Sequence, residues 1–542
     1  MQIEGNIVDI DGRKIFPGVV WVEDGVIKSI TENSNCYKNF IAPGFVDAHV
    51  HIESSMLIPS EFSKLVVRKG SVAVVTDPHE IANVLGKEGI NFMVEESKHA
   101  SIKIFFTIPS CVPATPFDYS GGKISSDDVE DLFDSGLFVG LSEVMNVPGV
   151  LTGDVELCRK MESARKRNLV IDGHAPDLRK NDLIKYIAAG ITTDHECTTE
   201  EEALEKIAGG MKILIREGSA AKNYESLKGL IAKYPDDVMF CTDDSHSDEL
   251  IESGHIDKIV KRAVADGFDL FDVLKAASLN AIRHYHLNVG TLKVGDRADF
   301  TIFENLKDFS VLSVYIDGVK LYDRNVEESD YTEDICKRVV LNRFVRKEIE
   351  KSEIEKYVSN QVVCIDVKNG EIVTEKMNYN VGTVPFNLES DLEHDILKIV
   401  YINRYKNGNP QVAYIHGVGL KRGAYATSVS HDSHNLIAVG CSDAEIVAAV
   451  NAVIHEKGGL AVADGNSEQV EVMPLPIAGI MSYQKGNEIA EKWGKLCNRL
   501  DEMGCSLTSP FMTLSFMALI VIPELKIGEK GLFEYSTFSF IS

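Results

Sequence analysis

The sequence predicts an α/β protein: a (β/α)8 TIM-type barrel inserted in a small split β domain, followed by a C-terminal α+β domain. Three observations predict it. From residue 42 to residue 286 the chain alternates strand-like and helix-like patterns, with eight strand candidates in that stretch. Short alternating strand patterns precede this region and return after it. At 542 residues the chain exceeds one ordinary domain, and its 44% hydrophobic and 25% charged residues suit a soluble chain with a core.

Residues 1–41 read as alternating strands with turns at Asp11-Gly12 and Asp24-Gly25. The barrel strand candidates are 46–53, 72–77, 103–108, 138–144, 169–173, 191–195, 212–216 and 238–242. Helical patterns fall between them at 60–69, 155–167, 183–189 and 200–208, the last announced by the capping-box pair Thr199 and Glu202. A doubly wound open sheet is the alternative, but it rarely runs eight regular units in this length. A helix over 270–284 leads to strand patterns at 289–292 and 299–303, which would complete the sheet begun by residues 1–41. The expected domains are therefore 1–41 with 287–342, the barrel at 42–286, and the C-terminal domain at 343–542. The charged stretch 343–356 reads as a linking helix, beyond which turns at Asn369-Gly370 and Asn407-Gly408 and a helix over 444–457 follow.

The 56 Lys and Arg against 82 Asp and Glu give a formal charge of −26. Such a surface repels phosphate backbones and anionic lipid, so nucleic acid and membranes are excluded as partners, and a small neutral or cationic ligand is expected. The longest apolar run, 511–523, is too short to span a bilayer, and the N-terminus lacks a signal-peptide pattern. Ten cysteines without a CxxC pair point to reduced thiols and a cytoplasmic location. Cys111, Cys197 and Cys241 sit in apolar strand contexts as small buried hydrophobes.

Catalytic groups of a barrel gather at the C-terminal ends of its strands. Strand one carries His49 and His51, two residues apart and so on one face. Strand four ends at Glu143, strand five at His174, strand six at His195, and strand eight at Asp243-Asp244. Four imidazoles and two carboxylates at one mouth form a metal-ligand inventory, sufficient for two ions. Such ligands suit Mn²⁺, Fe²⁺ or Zn²⁺.

The run Pro43-Gly44-Phe45-Val46-Asp47-Ala48-His49-Val50-His51 resembles the opening of the amidohydrolase superfamily, and the likeness continues through His174, His195, Asp243, Ala277-Ser278-x-Asn280 and Gly290-x-Leu292 to Ala298-Asp299. Within that superfamily the chain is similar to the bacterial and archaeal adenine deaminases. The stretches that carry this are 51–56, Thr76-Asp77-Pro78-His79-Glu80-Ile81, 111–115, 172–176, Arg216-Glu217-Gly218-Ser219, 241–244 and His431-Asp432-Ser433-His434-Asn435. The resemblance implies hydrolytic deamination of adenine to hypoxanthine in purine salvage, at a binuclear site that activates a water, with manganese as the expected metal and iron close behind. Glu143 stands where many binuclear members have a carboxylated lysine, and its two oxygens can each bind one cation. Asp243 is the implied metal ligand and proton shuttle, with Glu80 the next acid/base candidate.

His79, Glu80, Arg216, Glu217 and His434 are the expected purine contacts. Helix capping at 79–80 and a rim salt bridge at 216–217 stay open as bland readings. Asp244 reads as support for a metal-bound His or as a helix cap. Residues 431–435 read as a lid over the barrel mouth, with a metal site of their own and an exposed turn as alternatives. A homodimer is the expected assembly. The competing activity is cyclic amide hydrolysis on the same scaffold, and the non-enzymatic alternative is a metal-binding barrel without turnover. The His/Cys/Cys zinc deaminases are excluded by the lack of a CxxC.

Overall fold

The computed structural model of the chain describes residues 1–219, 221–326, 341–465 and 470–541. It divides into two compact units, one of residues 1–78, 92–111 and 125–337, the other of 79–91, 112–124 and 338–542. No helix among the described residues is long and apolar enough to cross a membrane.

In the first unit, β1 (Gln2–Asp9), β2 (Lys14–Glu23), β3 (Val26–Glu32) and β4 (Phe40–Pro43) lead to β5 (Phe45–His51). The barrel strands continue as β6 (Ser71–Thr76), β7 (Lys103–Ile108), β8 (Phe138–Val144), β9 (Val170–Gly173), β10 (Thr193–Asp194), β11 (Lys212–Arg216), β12 (Val238–Cys241) and β13 (Asp243–Asp244). All pair in parallel, in the orders β13-β5-β6-β7-β8-β9 and β10-β11-β12. β12 and β13 are one strand interrupted at Thr242, and the Thr192 N–H bonds the Ile171 carbonyl at 2.9 Å between β9 and β10, so the eight-strand ring closes. Every residue of β5 and β6 is buried, and the central Val72–Val75 of β6 is a continuous apolar run, while β5 carries the buried polar Asp47, His49 and His51.

The sequence motifs have structural duties. A Cβ on Gly44 would lie 2.1 Å from Val72 Cγ1, so the turn into β5 admits only glycine. Ser278 Oγ donates to the Gly44 carbonyl at 2.8 Å, and Asn280 Nδ2 donates to the carbonyls of Pro235 (2.8 Å) and Val238 (2.7 Å). Those bonds tie helix residues 270–284, which include a π-helical turn over Lys275–Leu279, to both ends of the ring's seam. β14 (Phe300–Phe303), β15 (Val311–Ile316) and β16 (Val319–Asp323) join β1–β4 in a seven-stranded sheet of order β16-β15-β14-β4-β1-β2-β3.

Two local expectations fail here. Residues 289–292 are not a strand: Asp299 Oδ2 accepts from the Gly290 N–H at 2.8 Å and Asp296 Oδ2 from the Thr291 N–H at 2.7 Å, so side chains take the bonds a ladder would need. The stretch 343–356 is not a helix beyond the short turn Lys351–Glu353. Its backbone bonds go to distant partners instead, from the Val345 N–H to the Arg404 carbonyl (2.8 Å) and from the Ile349 N–H to Asn451 Oδ1 (2.8 Å).

The second unit is built on a nine-stranded sheet whose middle strands Ile396–Ile402, Leu436–Gly440, Ala424–Thr427 and Gly459–Ala463 are wholly buried. Helix Asp443–His455 covers it, sinking Ile446, Ala449, Val450 and Val453 among Val400, Ala426, Ala438 and Ala461. Ser442 caps that helix by accepting from the Glu445 N–H. Helix His79–Leu85 and the segment 112–124 belong to this unit. The Gly122 N–H bonds the Asn83 carbonyl at 2.8 Å, and Asn435 Nδ2 donates to the Tyr119 carbonyl at 2.8 Å.

Candidate metal centre

In the first unit β5 brings His49 and His51 to one face, with ring centroids 4.8 Å apart. His51 Nδ1 donates to the Asp77 carbonyl at 3.0 Å, which leaves the Nε2 lone pair for a ligand. That Nε2 lies 3.0 Å from Asp243 Oδ1 and 3.4 Å from Glu143 Oε1, while His49 Nε2 lies 3.4 Å from the same Asp243 oxygen. Across the ring, Glu143 Oε2 lies 2.8 Å from His174 Nδ1 and 3.2 Å from His195 Nε2. The two oxygens of Glu143 therefore face two different imidazole sets.

All six side chains converge, and their fit to metal can be tested. Ligands about 2.0–2.2 Å from a shared ion stand roughly 3–3.4 Å from one another, close to the 2.8–3.4 Å separations here. His49 Nε2 and His195 Nε2 are buried and have no hydrogen-bond partner. Two buried imidazole nitrogens that point at carboxylate oxygens without bonding them suit ligation better than packing. Triads of ligand atoms form at His49, His51 and Asp243, and at His49, Glu143 and His195. The residues fit divalent ions.

Sequence reasoning missed Glu196. Its Oε1 lies 3.4 Å from His195 Nε2 and 3.5 Å from His174 Nδ1, and it pairs with Arg216 Nη1. Alternation along a strand would aim it away from His195, but β10 ends at Asp194, so the alternation has already lapsed. The same Arg216 nitrogen touches Asp243 Oδ2, making Arg216 the cation shared by two site carboxylates. Asp47 was missed too: buried, it accepts from the His49 N–H (3.2 Å) and from Thr242 Oγ1 (2.5 Å), bracing β5 against the end of β12.

The charges are interlocked. Burial opposes the charged form of Asp243, yet the Arg216 guanidinium and the imidazoles of His49 and His51 hold its carboxyl well below the usual range. Burial likewise opposes Glu143, and His174, His195 and His51 outweigh it and keep it ionised. Burial would lower His195, but Glu143 and Glu196 push it up to about 10. This donor set calls for cationic charge. Asp243 itself adopts φ 56°, a left-handed conformation that a non-glycine residue holds at a cost. That kink frees its side chain from the strand's alternation, and Asp244 turns instead to accept from Ser54 Oγ. Glu217 stays outside the cluster, 3.2 Å from Arg262 Nη1.

The other expected residues gather in the second unit. Glu80, in the first turn of helix His79–Leu85, has Oε1 2.6 Å from His431 Nδ1 and 3.5 Å from His79 Nε2, and its Oε2 touches His434 Nε2. All four are buried, so 431–435 is not an exposed turn. The ring of His431 stacks on Phe516 at 4.8 Å between centroids, and Tyr405 OH donates to the Ser433 carbonyl at 2.6 Å.

Comparison with known proteins identifies the family. Residues 40–321 match the family model described as the amidohydrolase family, and residues 371–539 the one described as the adenine deaminase C-terminal domain. An adenine deaminase of Methanosarcina mazei is 48% identical over 548 residues, covering 99% of this chain and 98% of that protein. One of Sulfurovum sp. is 49% identical over 542 residues, covering 100% and 99%. One of Borreliella burgdorferi is 42% identical over 551 residues, covering 100% and 99%.

Proposed function

The chain belongs to the adenine deaminases of the amidohydrolase family, and we infer from that membership that it hydrolyses adenine to hypoxanthine and ammonia. The carrying observation is identity near one half along the full length of both partners. The cofactor is divalent metal. The finer reading is two ions per chain, manganese first, in a cytoplasmic enzyme. His49, His51 and Asp243 would hold one ion and His174 and His195 the other, with Glu143 between them; the split of its oxygens supports this. Such ions supply acidified water and polarisation of the centre under attack.

The protein's own groups do the rest. Water oxygen adds to C6 of the purine, the C6–amine bond breaks, and one proton must travel from the water to the ring nitrogen and another to the departing amine. Asp243 is the group assigned to carry them, held in place by Arg216 at one oxygen and facing His51 with the other. Glu80 is the second assigned acid/base, and His79 and Arg216 are the assigned contacts for the purine's polar edge. The deciding experiment is ammonia release from adenine by the manganese-loaded chain, with hypoxanthine identified as product and a cyclic amide run in parallel. Turnover of the cyclic amide with adenine untouched would reject this reading.

A further inference from the structure

Glu80 is a carboxylate buried to 2% exposure among three imidazoles, an arrangement that packing alone does not require. It lies in the first turn of helix His79–Leu85, four positions along the chain from the last residue of β6, Thr76. Two of its imidazole neighbours come from the far end of the chain. His431 Nδ1 reaches Oε1 at 2.6 Å, and His434 Nε2 is turned onto Oε2. The Ser430 N–H donates to His434 Nδ1 at 3.3 Å, which places that ring's hydrogen on Nε2, toward the carboxylate. The Ser430 carbonyl accepts from the His434 N–H at 2.7 Å, and the His431 N–H bonds the Ser515 carbonyl at 3.2 Å, so the backbone that carries both rings is fixed.

We propose that His431 and His434 are positioning residues for the deamination, fixing the Glu80 carboxylate in one orientation. The proposal rests on the reading of Glu80 as an acid/base group. Of these two imidazoles one meets each oxygen of Glu80, so rotation of the carboxylate about its axis is opposed from both sides. The charged groups around it are consistent with this. Burial opposes the charge on Glu80, and His431, His434 and His79 outweigh it and hold its carboxyl well below the usual range. Asp432, a ligand-atom neighbour of His79 and Glu80, adds negative charge to the same cluster, and with burial it lifts Asp118 to about 7. Burial lowers His434 from its ordinary value, with His431 and Arg404 acting in the same direction and Glu80 opposing them.

The test uses the full-length, manganese-loaded enzyme and the pH profile of kcat/KM for adenine. Glu80→Gln should lower kcat by about 10²–10⁴-fold. His434→Ala should lower kcat about 10²-fold and move the acid limb of the profile to higher pH, because the unclamped carboxylate takes up its proton more readily. His434→Gln and His431→Asn, which keep an N–H donor near the original nitrogen, should restore most of both, and they also cover the case in which an alanine variant fails to fold. His434→Ala added to Glu80→Gln should cost little more than Glu80→Gln alone. Wild-type activity in Glu80→Gln overturns the Glu80 reading and the clamp with it. An impaired Glu80→Gln beside alanine variants of His431 and His434 with normal rate and profile overturns the clamp alone. A rate loss in His434→Ala with an unmoved acid limb, additive to Glu80→Gln, reduces the histidines to packing and also overturns it.

Discussion

Arg216 and Asp243 form a buried ion pair at the C-terminal ends of β11 and β12, and the same guanidinium nitrogen also holds Glu196. One oxygen of Asp243 is thereby committed to arginine while the other faces His51 at 3.0 Å. Arg216→Gln should leave two buried carboxylates without their cation, a change that typically costs about 3–5 kcal/mol. Denaturant unfolding of the variant should show a clear loss of stability, and its activity should fall off at higher pH on the acid side because Asp243 is no longer held so low. Wild-type stability and profile in Arg216→Gln would mean the pair carries neither burden.

Glu143 bears on stoichiometry. Its oxygens separate, Oε1 toward His51 and Oε2 toward His174 and His195. A neutral amide cannot offset two adjacent dications, so Glu143→Gln should bind fewer than the two metal equivalents expected of the parent and lose at least about 10²-fold in kcat. Elemental analysis beside the rate decides the matter. Two tightly held equivalents and a normal rate in the variant would move the bridge elsewhere.

Metal removal has a pH signature whose sign follows from His195. Without metal its folded value is raised to about 10 from an ordinary 6.5, with burial opposing and Glu143 and Glu196 prevailing. A raised histidine contributes stability that is full below the unfolded value and is lost as pH climbs through the folded one. Chelated protein should therefore lose thermal stability between pH ~6.5 and ~10. Metal should compete with these protons, so reloading near pH 7 should release them to a weakly buffered solution. A chelated protein with flat stability over that window, and metal uptake without proton release, would contradict the interlocked charges described above.

How much of this was legible in the sequence depended on the range of the forces involved. His49, His51, Glu143, His174, His195 and Asp243 could be singled out because each lies in or beside the C-terminal part of a strand, and strands are marked by local pattern. Glu196 and Arg216 could not be given their partners, since their meeting joins β10, β11 and β13 through tertiary geometry. Residues 343–356 have a helix-like charge pattern, but their backbone bonds are taken by Arg404 and Asn451, far along the chain. His431 and His434 could be singled out as unusual, while their common target, 351 residues from His431, could not be read from spacing.

Asp243 can be separated from its neighbour by substitution, and the backbone explains why. The left-handed turn at Asp243 directs its carboxylate to His49, His51 and Arg216, whereas Asp244 accepts from Ser54. Acid–base work of the kind assigned to Asp243 typically contributes ~10²–10⁴-fold. Asp243→Asn should lower kcat by that much, yet an amide oxygen can still touch a cation, so a good share of the bound metal should remain. Asp244→Asn retains an oxygen for Ser54 to bond and should cost far less. The informative comparison sets metal content beside kcat for the two variants. If Asp243→Asn keeps both its metal and its rate, proton transfer belongs to another group, and Glu80, already held as a buried carboxylate by His431 and His434, is the one to substitute next.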